Sequence, residues 1–366
     1  MKFTKKKILF LLESRATYGY AKNVIDVISD FKNLNYSTIV TGGHLSNTND
    51  KSLRYIKKDN IKIDEKIRFE ILNKKYSWSF YIGKAISKFS VALDKIKPDI
   101  ALIFGDRVET LSFCMTCAYM NIPIAHTMGG EVSGTIDESI RHAITKFSHI
   151  HFPATNKAKK NIIRMGEDKK NVFQVGCPRI DLVKECLDKK IPDINLSVFN
   201  NGVGEKFDLN KKFITIMQYP VTTEFEKSQF QIEETLKAVS KINLPKLFFW
   251  PNPDAGTDKM SGTIRKWREQ KKLKNTWFIK NLEHNLFFHI LNKTECLIGN
   301  SSAAIREGSF IGVPSVSVGT RQNDRERGKN VINAKYDHND IYNKIVFQLK
   351  SKKSKLKSNL YGNGNA

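Results

Sequence analysis

Residues 126–146 read HTMGGEVSGTIDESIRHAITK, with three carboxylates (Glu131, Asp137, Glu138), two histidines, one arginine and three glycines in a single connection. A core segment has no use for that density of ionisable groups. Thr135 and Glu138 have the spacing of a capping box, which gives Glu138 a local role. Asp137 and Arg141 stand one helical turn apart and share a face, opposite an apolar stripe of Ile136, Ile140, Ile144 and Phe147. Gly129 and Gly130 are expected to form a flexible turn, and Gly134 a second one. Glu131 and Asp137 are expected to converge on one cavity with Asp106 of the segment GDRVETL. Two or three carboxylates around one cavity are what removing and returning a proton requires. Their mutual repulsion, with burial, is expected to raise one pKa toward neutrality. Asp106 also has an ordinary use as a helix N-cap, and the two roles are compatible.

Two further loops carry groups suited to an anion. ESRATYGYAKNVIDVI follows the first apolar run, and Arg15 in it can reach a phosphate. In CLIGNSSAAIREG, Asn300, Ser301 and Ser302 open a helix with small residues behind them. Backbone N–H groups and hydroxyls at such a helix start suit a diphosphate. Glu307, expected further along the same helix, can accept from ribose hydroxyls, and Arg321, Arg325 and Arg327 can close the site. The loop is neither a Walker A motif nor GxGxxG.

The elements that must hold these loops alternate. Candidate strands are Ile8–Leu12, Ser37–Thr41, Ile100–Phe104, Ile122–Ala125, Ile150–Pro153 and Val172–Val175, with helical patterns such as Trp78–Ile96 and Val108–Met120 between them. His126 then marks a strand's carboxyl end, and a helix begins near Tyr18. The polar stretch from about Leu182 to Lys212 breaks the rhythm. A second series follows: Phe213–Met217, Lys246–Trp250, Trp277–Ile279, Cys296–Ile298 and Ser315–Val318. This βαβ alternation predicts an α/β chain of two doubly wound Rossmann-like domains, residues 1–182 and 213–366, joined through 183–212, with a cleft between them. The acids belong to the first domain and the diphosphate loop to the second.

Composition excludes several classes. The 366 residues are 40% hydrophobic and carry a net charge of +24, but the lysines are dispersed and no nucleic-acid motif accompanies them. They read as solvated faces, as does the basic tail LKSKKSKLKS. No apolar run is long enough to span a membrane. MKFTKKKILFLLES reads as a first strand ended by Glu13 rather than as a leader, so the protein is expected to be cytoplasmic. Five scattered cysteines argue against a disulfide framework, and the CxxC of Cys114 and Cys117 sits in an apolar helical run as buried small hydrophobes. His149 and His151 alternate on one strand without a third ligand at useful spacing, so no metal site is expected.

GDRVETL, GGEVSGTIDESIRHAITK, VGCPRIDLV, QYPVTTE, PNPDAG and GNSSAAIREGSFIGVPSVSVGTRQNDRERGKNVI resemble the hydrolysing UDP-N-acetylglucosamine 2-epimerases of sialic-acid and related nonulosonate synthesis. The likeness runs from Arg15 almost to Ala366. It implies a glycosyltransferase-B-like fold and anti elimination of UDP to a glycal, whose hydration inverts C2. Free N-acetylmannosamine and UDP are then the products. It implies no metal or redox cofactor, a UDP-linked nucleotide sugar as the small-molecule partner, neither nucleic acid nor membrane, and a homodimer or homotetramer. The family's catalytic carboxylates fall on Asp106 and Asp137, and its uridine diphosphate contacts on Arg15, Ser301, Ser302 and Glu307. His44, Arg107, Arg141, Tyr219, Asn300, Arg306 and Arg321 complete the expected substrate contacts. Relatives carry an acid or histidine where this chain has Met128, so either Glu131 takes over that task or the proton route differs; they often carry His where this chain has Tyr219. They also usually continue with a helix beyond YGNGNA, an element expected to be missing here. A 2,4-diacetamido-2,4,6-trideoxy nucleotide sugar of the legionaminic-acid route is the alternative substrate. A glycosyltransferase and a non-catalytic nucleotide-sugar sensor are the alternative functions.

Overall fold

Apolar runs of four to seven residues become strands because helices on both faces of a parallel sheet let such runs be buried throughout. The computed structural model describes residues 5–45, 53–68, 78–133, 136–191, 193–251 and 256–366. It divides into two units: the first runs to Leu182, interrupted at Ser133, and takes back Gly364–Ala366, and the second is Val183–Asn363 together with the short stretch at Ser133.

In chain order the first unit contains β1 (Lys6–Leu12), α1 (Arg15–Asp30), β2 (Leu34–Val40), α2 (Leu53–Lys58), β3 (Glu65–Lys66), α3 (Trp78–Ile96), β4 (Ile100–Phe104), α4 (Val108–Tyr119), β5 (Ile124–Thr127), α5 (Ile136–Phe147), β6 (Ile150–Phe152) and α6 (Asn156–Arg164). Among the described residues these strands form a six-stranded parallel sheet in the order β3-β2-β1-β4-β5-β6. Leu9, Leu11 and Ile103 of the sheet pack against Phe89 of α3 and Phe113 of α4 in the core. The chain moves outward from β1 to β3 and returns to β4 on β1's other side. The loops leaving β1 and β4 therefore diverge, and a crevice opens at the carboxyl ends of these two strands.

α7 (Pro178–Asp188) runs through the division at Leu182. The second unit continues with α8 (Ile194–Phe199), β7 (Val203–Gly204), β8 (Ile214–Met217), α9 (Ser228–Ser240), β9 (Lys246–Phe249), α10 (Thr257–Glu269), β10 (Thr276–Ile279), α11 (His284–Lys293), β11 (Cys296–Gly299), α12 (Glu307–Ile311), β12 (Ser315–Val318), β13 (Val331–Ala334), α13 (His338–Leu349) and α14 (Lys353–Leu356). Its described strands form a seven-stranded sheet, β13-β12-β11-β8-β9-β10-β7, in which β7 alone runs antiparallel. The reversal of order here falls between β8 and β11. The two strands come so close that a Cβ on Gly299, at φ +127°, would stand 2.2 Å from the Met217 carbonyl.

Several expectations change. β5 extends to Thr127, so His126 lies inside the strand and not at its end. α1 starts at Arg15, three residues before Tyr18, because Ser14 caps it and accepts the Thr17 N–H at 3.2 Å. Val172–Val175 is not a strand: Val172 makes only an isolated bridge to His151. Pro153 has no N–H to continue that ladder. The stretch 183–212 is not a bare connection but carries α8 and the edge strand β7, with the Trp277 Nε1–H on the Asn201 carbonyl at 3.0 Å. The two-residue strands β3 and β7 are too short for any periodicity, and β13 was missed because half of it faces outward.

Candidate functional site

At the carboxyl ends of the first unit's strands, α5 meets the loops that follow β4 and β5. Arg141, on α5, has a side chain only 1% exposed. Its Nη2 donates to the Asp106 carboxylate and its Nη1 to the Glu131 carbonyl at 2.5 Å. One buried guanidinium therefore ties the loop after β4 to the loop after β5. Arg141 was expected as a substrate contact; these bonds brace Asp106 and the Glu131 backbone from inside. Asp106 is 24% exposed at its side chain, and Glu131 is buried. Asp137 lies in the exposed first turn of α5, one turn before Arg141. The expected apolar stripe is partial: Ile144 is buried, whereas Ile136 is exposed. Gly134 and Thr135 lie outside the described residues, and so does the capping box; Glu138 stands 3.8 Å from the His142 ring.

His126 fixes the same loop from below. It is fully buried, with Nε2 3.2 Å from the Gly105 carbonyl and Nδ1 3.2 Å from the Thr145 hydroxyl. A neutral ring meets both contacts by donating from Nε2 and accepting at Nδ1 when the Thr145 hydroxyl turns to it instead of to the Arg141 carbonyl, 3.0 Å away. Burial pushes its pKa down to about 4. The glycine turn, expected to be flexible, is held by its neighbours. Met128 adopts φ 60° and Gly130 φ 77°; Asn161 Nδ2 donates to the Gly130 carbonyl at 2.9 Å, and a Cβ on Gly130 would lie 2.3 Å from the Ala158 carbonyl. Met128 itself is buried, its sulfur 3.6 Å from Cys177 Sγ, so it packs rather than reacts. Arg15 is half-buried in the first turn of α1. Arg107 is exposed and lies 3.3 Å from buried Glu109, and His44 is buried edge-on to Tyr18.

The second unit builds its group at the ends of β8 and β11. The Tyr219 N–H donates to Asn300 Oδ1 at 2.8 Å, and Asn300 Nδ2 returns a bond to the Tyr219 carbonyl at 2.8 Å. This reciprocal pair spans the point where strand order reverses. Arg321 Nη1 donates to the Asn300 carbonyl at 3.2 Å, and its guanidinium lies 5.5 Å from the centre of the Tyr219 ring. Tyr219, Asn300 and Arg321 therefore form one cluster. Ser301 and Ser302 do not open one long helix: Ser301 caps a 3₁₀ turn, Ser302–Ala304, and α12 begins separately at Glu307. Glu307 is buried, and Arg306, also buried, holds its guanidinium 5.9 Å from the Tyr361 ring centre. Arg327 does not turn toward the group; it braces its own loop through Asn333 and the carbonyls of Gln322 and Asn323.

Other expectations resolve locally. All five cysteines are buried and unbridged, and burial pushes the Cys114 thiol up to about 12. His151 is buried against Glu167 at 3.2 Å, and His149 Nδ1 accepts the Ile124 N–H at 3.2 Å, so these two side chains serve different partners. The basic tail is not one solvated helix, since Lys353 of the short α14 turns inward to the Asn292 carbonyl at 2.7 Å. Most of PNPDAG, residues 252–255, lies outside the described residues. No described helix is long and apolar enough to cross a membrane. Sequence reasoning gave no role to Glu13, Glu109 or Gln218. All three are buried polar groups; Glu13 and Gln218 directly follow the apolar runs of β1 and β8, which was their one signal, whereas Glu109 lies in the first turn of α4.

Comparison with known proteins fits this arrangement. Residues 27–366 match the family described as UDP-N-acetylglucosamine 2-epimerase. The chain is 33% identical to the UDP-N,N'-diacetylbacillosamine 2-epimerase (hydrolyzing) of Legionella pneumophila, covering 98% of this chain and 93% of that protein. It is 30% identical to the UDP-N-acetylglucosamine 2-epimerase of Neisseria meningitidis, over 93% of this chain and 86% of the relative. Among solved structures, the Methanocaldococcus jannaschii UDP-GlcNAc 2-epimerase with UDP-GlcNAc and UDP superposes with a TM-score of 0.82 at 17% identity, covering 98% of this chain and 96% of that one. At that identity the superposition speaks for the fold. The match over nearly the whole sequence says more: this chain belongs to the UDP-N-acetylglucosamine 2-epimerase family.

Proposed function

We propose that the chain is a hydrolysing 2-epimerase, converting UDP-N-acetylglucosamine to N-acetylmannosamine and UDP for nonulosonic acid synthesis. The observation that carries the reading is the Arg141 brace, which fixes Asp106 and the Glu131 loop together at the mouth of a strand-order reversal. A carboxylate there takes the C2 proton of the sugar. The C2–H electron pair becomes the C1=C2 bond, and the C1–O bond breaks with its pair going to the diphosphate. Water then adds its hydroxyl to C1 while C2 receives a proton on the opposite face. Asp106, Glu131 and Asp137 are the residues offered for these transfers. Arg15, Ser301, Ser302, Tyr219 and Arg321 are offered for the diphosphate, since arginine and hydroxyl donors suit phosphate oxygens, and Glu307 for the ribose.

A second substrate has its own support. The Legionella relative and a Campylobacter jejuni relative 31% identical to this chain are both named for N,N'-diacetylbacillosamine and as hydrolysing. A UDP-linked 2,4-diacetamido sugar is therefore the second reading. Incubating the protein with each nucleotide sugar in deuterium oxide and following the products by NMR tests both. The expected result is free sugar with inverted, deuterated C2 and stoichiometric UDP from one of the two. Epimerised sugar still bound to UDP would overturn the hydrolysing assignment, and transfer only in the presence of an acceptor would replace it with a glycosyltransferase.

A further inference from the structure

The loop after β1 carries an acid that the proposed chemistry leaves unused. Glu13 is 1% exposed and follows directly on the last residue of β1. Its Oε1 accepts the Thr17 hydroxyl and lies 3.5 Å from Ser14 Oγ, while its Oε2 is buried with no hydrogen-bond partner. Its carbonyl accepts the Gly43 N–H at 2.9 Å. The 3₁₀ turn Gly42–Leu45 presses against this point so closely that a Cβ on Gly42 would stand 2.6 Å from the Glu13 carbonyl and 3.0 Å from Glu109 Oε1. The Thr17 hydroxyl of α1 and the hydroxyl of its cap, Ser14, face Glu13, and the 3₁₀ turn bears His44 as its titratable group. The start of α4 supplies the charges, Arg107 and Glu109. Arg107 is already engaged by Glu109, with Nε and Nη2 at 3.3 and 3.4 Å. One arginine thus lies among two buried carboxyl groups and serves one of them. Burial pushes the Glu13 carboxyl up to about 8, against the opposing pull of the Thr17 bond and Arg107.

We propose that Glu13 is a positioning residue: neutral, it leaves Arg107 to Glu109, and ionised, it draws Arg107 away and shifts the loop that carries Asp106. The consequence for turnover rests on the reading of Asp106 given above; the movement of the loop does not. The variant that tests it is Glu13→Gln, which keeps shape and a donor but cannot ionise, with the whole chain as the sample.

Two readouts need no substrate. Glu13 has a folded-state pKa above its usual 4.5, so its contribution to stability is full below that value and lost as pH rises through about 8. The parent's melting midpoint should fall over that window, and Glu13→Gln should fall less. Hydrogen exchange of the segment 105–111, corrected for intrinsic rate, should quicken several-fold in the parent above about pH 8 and stay constant in Glu13→Gln. Thr17→Val, which removes a bond to the ionised form, should move the parent's transition to higher pH. Equal exchange of 105–111 in parent and Glu13→Gln at both pH extremes overturns the proposal, as does a transition that Thr17→Val leaves unmoved. With a turnover assay in hand, the parent's alkaline loss of activity should disappear in Glu13→Gln. An absence of turnover on every nucleotide sugar would count against the epimerase reading alone, because the exchange experiment still decides the loop movement.

Discussion

Arg141 and Asp106, 35 residues apart in the chain, meet as an ion pair in which the cation is 1% exposed and the acid 24%. The arginine sits where no substrate is needed to order it, and the acid sits where solvent reaches. A buried cation with a half-accessible anion is an arrangement that holds a reactive carboxylate at a set angle, and it makes the pair answerable to substitution at either end.

Replacing the cation should cost stability first. Arg141→Met leaves Asp106 without its partner and the Glu131 carbonyl without its donor. Removing one partner of a buried pair costs about 3 kcal/mol or more. Urea denaturation followed by circular dichroism should show that loss, and turnover should drop by about 100-fold or more because the acid is no longer aimed.

Replacing the acids should separate chemistry from folding. Asp106→Asn and Asp137→Asn are each expected to lower kcat by about 100- to 10,000-fold, the range for a proton-transfer group. Asp137 is exposed, so its variant should melt with the parent. UDP affinity, read by calorimetry, should be unchanged in both. Parental turnover in Asp106→Asn would remove the acid loop from the mechanism.

The cluster in the second unit should govern nucleotide affinity. Arg321→Ala takes away the guanidinium that stacks on Tyr219 and bonds Asn300. A charge-assisted bond to a phosphate contributes about 1.5–3 kcal/mol, so UDP should bind about 10- to 100-fold more weakly. Tyr219→Phe removes only a hydroxyl and should weaken UDP less than Arg321→Ala does, with kcat little altered.

Acid should destabilise the protein through His126. Its folded-state pKa, near 4, lies below its usual 6.5, so between those values the unfolded chain binds the extra proton. Stability should therefore decline as pH falls from about 6.5 toward 4, opposite in sign to the effect of Glu13 over the same range. Denaturation curves of His126→Gln, collected at several pH values, should lose the histidine's share of that slope.

Gly299→Ala should destabilise the second unit by about 2 kcal/mol or more, since an L-residue is strained at its positive φ. The added methyl would also meet the Met217 carbonyl. The variant's urea midpoint measures the effect, and a change below 0.5 kcal/mol, about the noise of a surface substitution, would mean that β8 and β11 can separate without penalty.

Local pattern made much of this molecule legible. The runs Ile100–Phe104 and Ser315–Val318 and the helix Trp78–Ile96 have the bounds read from periodicity alone. Apolar content over four or more residues is a local property, and a chain that alternates such runs with amphipathic helices has few ways to bury them other than parallel sheets. The motif residues of the candidate site were visible for a similar reason: acids, arginines and serines clustered beside glycines at strand ends stand out from what packing requires.

What the sequence could not decide was which of those groups face each other. Arg141 was read as a ligand contact and is a buried brace; the glycine turn was read as flexible and is clamped by Asn161; Ser301 and Glu307 were read on one helix and lie on two short ones. Glu13 was read only as the end of a strand, because its weight comes from what closes over it: the turn at Gly42, the hydroxyl of Thr17 and the start of α4. Composition and spacing determined the kind of fold and the stock of reactive groups. Burial and partnership arise only when distant segments meet, and they alone decided which acid is shut away from water and which arginine is committed inside.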